Sequence, residues 1–333
     1  MKKVLSVLIL ALLVAIVAFS GCVGNDDGSG NGSNVTIGYQ PSTHQMAYTS
    51  AESMGWWTSN LTKLNVSSVN NKLFESGPSE AVALSSGAIQ VAYIGAAPII
   101  PAVAQNNSDL KIVAAVQING SSLLVANNMT YNGPQDLVGK KVGTFPPGSI
   151  QDTLLKTWLT NNGVDPKSLE IKGMSQGDAE AALMSGSLDA VFLPHPAPAV
   201  IEAGGYGRIV YNSGQMEPDH ACCVIAVSQK FIDQHPDIVK EIVRIHIDAT
   251  DYTNENPEKA AQYYSKMTGV SQDTVLASVN EWDGAWVSDP HMIEDYVVAY
   301  SQAQYQQGLT PRALTAEDLF DTSFYDEIMA ERA

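Results

Sequence analysis

From Val35 onward the chain alternates short β-branched runs with helical stretches, and that alternation restricts the fold more than any other feature. "VTIGYQ" predicts a strand, "MAYTSAESMGWW" a helix, "SSVNNKLF" a strand and "SEAVALSSG" a helix closed by Gly87. "IQVAYIG", the apolar helix "APIIPAVAQ" and the strand "LKIVAAVQI" complete a first series. A second series runs from "SSLLVANN" and "KKVGTF" through the helix "SIQDTLLKTWLTNNG" to "DAVFL" and "RIVYNS". Strand and helix in turn imply a mainly parallel sheet covered by helices on both faces. After the extended run "HACCVIAVS" the pattern is almost wholly helical to the C-terminus. The expected fold is therefore α/β, with two lobes, each a mainly parallel sheet flanked by helices, and a helical C-terminal tail. No Pro, Gly or Ser linker separates the two units, so the apolar runs near 118–124 and 220–226 are expected to cross between lobes. Residues 35–119 plus 220–333 then make the first lobe and 120–219 the second, and two crossings suggest a hinge.

The N-terminus obeys different rules. Met1-Lys2-Lys3 is followed by "VLSVLILALLVAIVAF", and the apolar run stops at Gly21-Cys22, short of the ~20 residues of a membrane-spanning helix. A basic start, an apolar middle and small residues at the end describe a secretory signal. "FSGC" resembles a lipobox, with Phe19 in place of the usual aliphatic residue, which makes Cys22 the expected lipid attachment point and residues 23–34 a Gly/Ser/Asn-rich linker. The protein is thus expected on the outer face of the cytoplasmic membrane, held there by its lipid.

Of 333 residues, 18 are Lys or Arg and 35 Asp or Glu, a formal net charge of -17 that argues against nucleic acid as a partner. Three cysteines, one of them Cys22, exclude a disulfide framework. The adjacent pair Cys222-Cys223 lies in an apolar run, where small core residues are the default reading and a strained vicinal disulfide the alternative.

The ordered series "GPSEAVALSSGAIQVAYIGAAPIIPAV", "DLVGKKVGTFPPGSIQDTLLKTWLTNNGVD", "AEAALMSGSLDAVFL" and "AVSQKFIDQHPDIVKEIVRIHIDATDYTNENPEKAA" resembles the solute-binding proteins of ABC importers in the nitrate, sulfonate, taurine and thiamine-pyrimidine group. The resemblance extends from Val35 nearly to the C-terminus. It implies a type II periplasmic-binding-protein fold that closes over a small solute and delivers it to a permease and its ATPase. It implies neither cofactor nor catalysis, and the chain is expected to act as a monomer.

In parallel sheets ligands sit beyond the carboxyl ends of the strands. The loops expected there are "YQPSTHQ", "YIGAAP", "QINGSS", "FPPGSIQD", "LPHPAP" and "EPDHACC", and none holds a Lys or Arg. The candidate ligand-binding residues are Tyr39, Gln40, His44, Gly95, Ala96, Asn119, Gly148, Ser149, Ile150, His195, Asp219 and His220. Gly148, Ser149 and Ile150 would offer backbone N–H groups at a helix start, which suits an oxyanion. Aromatic and amide groups such as Tyr39, Tyr93, Phe145, Gln40 and Asn119 suit a neutral or weakly basic heterocycle at least as well, since an uncompensated buried anion costs several kcal/mol, about the effective desolvation penalty of an ion. His44, His195 and His220 could contact solute or could hydrogen-bond their own loops. Their separations are too long for a local metal motif, so no metal is expected, although a metal completed by Asp219 or a cysteine thiolate is the alternative.

A rival from another class is the enzyme that makes the thiamine pyrimidine, which the chain resembles even in its cysteine-containing strand. That resemblance implies a pyridoxal-phosphate lysine near the end of the third strand, where this chain has Ile94 and no lysine between Lys72 and Lys111. A Schiff base needs an amine. A third reading is a surface sensor or metal-binding receptor built on the same clamp.

Overall fold

A computed structural model describes residues 33–105 and 108–333. The signal segment, Cys22 and most of the expected linker lie outside the described residues. Among the described residues eleven strands follow in chain order: β1 (Ser33–Tyr39), β2 (Val66–Leu73), β3 (Val91–Gly95), β4 (Leu110–Ile118), β5 (Ser121–Ala126), β6 (Lys141–Thr144), β7 (Glu170–Gly173), β8 (Ala190–Pro194), β9 (Gly207–Asn212), β10 (Ala221–Ser228) and β11 (Ala285–Trp286). The first strand starts two residues inside the expected linker. Ser33 and Asn34 pair with Val66 and Ser68 of β2, and the Asn34 amide oxygen accepts from the Ser68 hydroxyl at 2.8 Å.

The strands form two sheets, ordered β11-β4-β10-β3-β1-β2 and β7-β6-β8-β5-β9. Where strand and helix alternate strictly the pairing is parallel, as in β2-β1-β3 and β7-β6-β8. The antiparallel members are β10, between β3 and β4, and β5, between β8 and β9, with β11 added at one edge. Both sheets are therefore mixed, because β5 and β10 are the strands on which the chain enters each sheet after leaving the other. Neither crossing is a continuous strand. Asn119 and Gly120 make the first, and Asp219 and His220 the end of the second, with Asn119, Gly120 and Asp219 all in left-handed conformation (φ 55°, 80° and 55°). The expected helix "MAYTSAESMGWW" is likewise divided, into Met46–Ser53 and Trp56–Leu61, by Gly55 at φ 70°.

Burial follows the pleat. In β5, Leu123 and Val125 enter a core with Val142, Leu155, Trp158 and Phe192, whereas Leu124 enters a different core with Val191, Leu193 and Ile201. Successive side chains point to opposite faces, so a sheet covered on both sides reads as an unbroken apolar run. The first sheet has the larger core, in which Ile37, Tyr48, Trp57, Tyr93 and Ile94 are fully buried. Each such side chain contributes about 1.5–3 kcal/mol through burial. Ile150 also belongs to this core, although it opens the helix Ile150–Asn161 that packs on the second sheet. That helix starts where it does because the Ser149 hydroxyl accepts from the Asp152 N–H at 3.2 Å, with Asp152 itself paired to Lys156 at 2.7 Å. Among the described residues no helix is long and apolar enough to cross a membrane.

Candidate functional site

A small cavity of about 20 Å³ lies between the strand ends of the two sheets, enough for about one water. From the first-sheet side it is lined by Gln40, Ser42, His44, Gln45, Gly77, Gly95 and Pro98, and by Cys222 and Cys223 of β10. From the second-sheet side come Phe145, Ser149, Ile150, Gln151 and Pro194. The two sides touch. The His195 carbonyl accepts from the Ser42 hydroxyl at 2.9 Å and the Thr43 N–H at 3.0 Å, and the Gln304 amide donates to the Ala97 carbonyl at 3.1 Å and, at 3.4 Å, to that of Gly148. A Cβ on Gly95 would stand 3.0 Å from Ile150 Cγ1, so a glycine lets the second side close on the first.

Of the candidate residues, Gln40, His44, Gly95, Ser149 and Ile150 line this cavity. Tyr39, Ala96, Asn119, Gly148, His195, Asp219 and His220 do not. Tyr39 is stacked on Tyr48 with ring centroids 4.8 Å apart, and Ala96 is fully buried at a helix start. Gly148 lies on the loop before Ser149, where its carbonyl faces Gln304. Asn119 and His220 bind each other: Asn119 N–H donates to the His220 carbonyl, and His220 N–H to the Asn119 side-chain oxygen, both at 3.1 Å. Asp219 is exposed. These residues were expected at the site because their loops lead into the cleft. The short crossings turn Asn119 and His220 toward one another, which joins the two connections instead of furnishing the cavity wall.

His195 illustrates the same point. Its Nε2 meets the Ser122 hydroxyl at 2.9 Å and its Nδ1 the Ser278 hydroxyl at 2.8 Å, so both ring nitrogens are occupied behind Pro194. Burial, with a smaller contribution from His44, lowers its pKa to about 3. His220 is lowered to about 4, again chiefly by burial. The cavity wall holds no Lys, Arg, Asp or Glu. Glu80 lies close behind it, fully buried, accepting from the Gln40 amide at 2.8 Å, and burial pushes its carboxyl well above the usual range.

Gly77 lies outside the expected cleft loops, whereas Ser42, Gln45, Pro98, Gln151, Pro194 and, above all, the two cysteines lie in those loops without having been singled out as candidates. Both are buried, as core residues would be, yet both line the cavity. Neighbouring strand residues normally face opposite ways. Here the β10–β4 register shifts on either side of Cys223, and the bulge brings the two Sγ atoms within 3.9 Å of each other. His44 Nδ1 is 3.3 Å from Cys222 Sγ and 3.8 Å from Cys223 Sγ. Its Nε2 donates to the Gly120 carbonyl at 2.6 Å, which in the neutral ring leaves the Nδ1 lone pair toward the thiols. Cys223 is lowered to about 6, first by the hydrogen bond from Cys222 and then by His44, against the opposing effect of burial.

Asp283, from the helical tail, clasps the crossing. Its carboxylate accepts from the Gly120 N–H at 3.0 Å and the Gly214 N–H at 2.6 Å, while its carbonyl accepts from the Asn119 amide at 3.2 Å. Asp283→Ala is expected to lower the unfolding free energy by about 2 kcal/mol, the usual worth of hydrogen bonds to a charged group. Urea denaturation checks this, with Asp283→Asn expected to lose less because one acceptor oxygen survives.

Two helix-flanked sheets that meet across a cleft at their strand ends, joined by two hydrogen-bonded crossings, have the periplasmic-binding-protein-like fold. The chain belongs to the NMT1-like family, whose signature matches residues 28–267. It is 28% identical over 243 residues to the taurine-binding periplasmic protein of Escherichia coli (strain K12), covering 72% of this chain and 73% of that one. The alkanesulfonate-binding protein SsuA of Xanthomonas axonopodis pv. citri, solved bound to MOPS, superposes with a TM-score of 0.77 at 19% identity, over 86% of this chain and 98% of that one. The periplasmic nitrate-binding protein NrtA of Synechocystis PCC 6803 gives a TM-score of 0.77 at 17% identity, over 90% and 89%. At those identities the two structures establish the shared fold.

Proposed function

We propose that this chain is the extracytoplasmic solute-binding subunit of an ABC importer, which encloses one small solute between its two lobes and hands it to the permease and ATPase. The observation that carries the reading is the narrow cleft between the strand ends of the two sheets, whose wall combines apolar groups with uncharged polar side chains and widens to admit a solute when the lobes part. The family membership and the solute-binding relatives support it. Residues 35–119 with 220–333 and residues 120–219 act as the two moving bodies. They pivot at Asn119-Gly120 and Asp219-His220, where left-handed backbone and mutual hydrogen bonds hold the crossings side by side. The solute is an organic molecule or oxyanion of the taurine, sulfonate, nitrate or pyrimidine kind. With no Lys or Arg in the wall, its polar groups are met by the side chains of Gln40, Ser42, Gln45, Ser149 and Gln151.

The protein acts as a monomer without a catalytic step, tethered to the outer face of the cytoplasmic membrane through a lipid on Cys22. Against the pyridoxal-phosphate enzyme stands Ile94, fully buried in β3 and paired with Val224, where the lysine would be needed. Thermal-shift measurements with taurine, alkanesulfonates, nitrate, bicarbonate and pyrimidines test the function. A true solute at 100 times its Kd stabilises by about 2.7 kcal/mol. That shift should shrink in Gln40→Ala and Gln151→Ala. If no member of the panel produces a saturable shift, the reading fails.

A further inference from the structure

We propose that His44, Cys222 and Cys223 bind one thiophilic d10 metal ion, Zn2+ or Cu+, through Nδ1 and the two Sγ atoms. The three ligand-bearing residues are buried and their donor atoms form one cluster. An ion held ~2.3 Å from each sulfur and ~2.0 Å from the nitrogen requires, in trigonal or tetrahedral geometry, S···S of about 3.8–4.0 Å and N···S of about 3.5–3.7 Å. The observed separations are 3.9 Å between the sulfurs and 3.3 and 3.8 Å from Nδ1 to each. The side chains therefore stand in a metal-binding triangle without rearrangement beyond a few tenths of an ångström.

Three further observations agree. The bulge in β10 is what aims two adjacent cysteines the same way, an arrangement that core packing alone does not require. His44 is oriented from behind: Nε2 donates to the Gly120 carbonyl, which fixes the ring and presents Nδ1, the usual support for a ligating histidine. The donor set is two sulfurs and an imidazole with no carboxylate, a combination that selects soft or borderline ions over Mg2+ or Ca2+. The adjoining cavity has room for one water-sized group, so an ion there would keep an open coordination position toward the cleft.

The site stands on this geometry alone and does not depend on the transport reading. Solute capture is measured on metal-free protein, so either idea can fail without the other.

The test uses the full chain, reduced and stripped of metal. Titration with Zn2+, and with Cu+ under anaerobic conditions against a chromophoric competitor, should give one equivalent bound by at least one of the two. Co2+ should produce a thiolate-to-metal charge-transfer band. Cys222→Ser and Cys223→Ser should each weaken binding by roughly 100-fold, at least the loss typical of removing a ligand's supporting shell. Cys22→Ser should leave binding unchanged, as should His291→Gln, which alters an exposed histidine beside Glu294 and Asp326. X-ray absorption of the metal-loaded wild type should count two sulfurs and one imidazole nitrogen, a readout that survives if a serine variant fails to fold. Absence of stoichiometric binding, an oxygen-and-nitrogen-only shell, or binding lost with Cys22 or His291 would overturn the proposal.

Discussion

Gly120→Ala is expected to destabilise the protein by about 2–5 kcal/mol, a large part of the roughly 5–15 kcal/mol that holds a typical domain folded. Two costs combine. Gly120 has a φ of 80°, where an added Cβ costs about 1–2 kcal/mol. That Cβ would also crowd Gln117 Nε2 most closely and stand 2.9 Å from Trp282 Cε3 and 3.0 Å from His44 Nε2, and overpacking of this kind adds about 1–3 kcal/mol. Gly55 provides the comparison. It has nearly the same φ, 70°, with nothing within 4 Å of its Cβ position, so Gly55→Ala should lose only the backbone share. Urea denaturation of the two variants separates strain from crowding. Equal losses would mean that Gln117, Trp282 and His44 yield freely, and that the first crossing is not held by packing.

Mild acid is expected to weaken the fold between pH 7 and pH 5, by up to about 2 kcal/mol for each buried neutral imidazole. His195 is lowered to about 3, and His220 and His246 to about 4, in each case mainly by burial. The unfolded chain takes up these protons near pH 6.5, whereas the folded chain does not until well below pH 5. Stability supplied by the three neutral imidazoles is therefore intact above about pH 6.5 and falls as pH drops, by about 1.4 kcal/mol per unit for each. Glu80 acts in the opposite sense. Burial raises its carboxyl, so the folded state holds a proton that the unfolded state has already released, and stability from this group grows as pH falls toward the unfolded carboxyl pKa. The three histidines set the sign of the slope and Glu80 reduces it. Denaturation midpoints across this range measure the slope. His246→Gln, which can still donate to the Ala115 carbonyl in place of Nε2 (2.7 Å), should reduce it by about one proton. A flat profile would show that the three rings are not held neutral.

Much of the architecture was legible along the chain. Runs such as "VAYIG" and "AVFL" and the amphipathic stretches between them carry their periodicity within a few residues, and so report strand or helix without reference to the rest of the molecule. The absence of Lys and Arg from the strand-end loops was equally visible, and it held for the cavity wall. Antiparallel pairing was harder to read, because the direction of β10 depends on where the chain returns from, not on its own residues.

The site was only partly legible. Gln40, His44, Gly95, Ser149 and Ile150 reach the cavity because they sit at strand ends or helix starts, positions that local pattern reveals. His195 and His220 looked like ligands in sequence, yet Ser122 and Ser278 occupy both nitrogens of the first ring and Tyr300 meets Nδ1 of the second, whose Nε2 is buried without a partner. The cysteines looked like core and became wall.

The sequence alone determined the α/β class, the order of elements and the absence of Lys and Arg from the strand-end loops, since each is carried by neighbouring residues or by composition. Only the tertiary structure decided which side chains face the cavity and that Cys222, Cys223 and His44 converge. That convergence comes from a register shift between β10 and β4, strands more than a hundred residues apart in the chain, and from the Gly120 carbonyl that turns the imidazole. A bulge is set by the pairing partner, and pairing between distant strands leaves no period in the sequence of either.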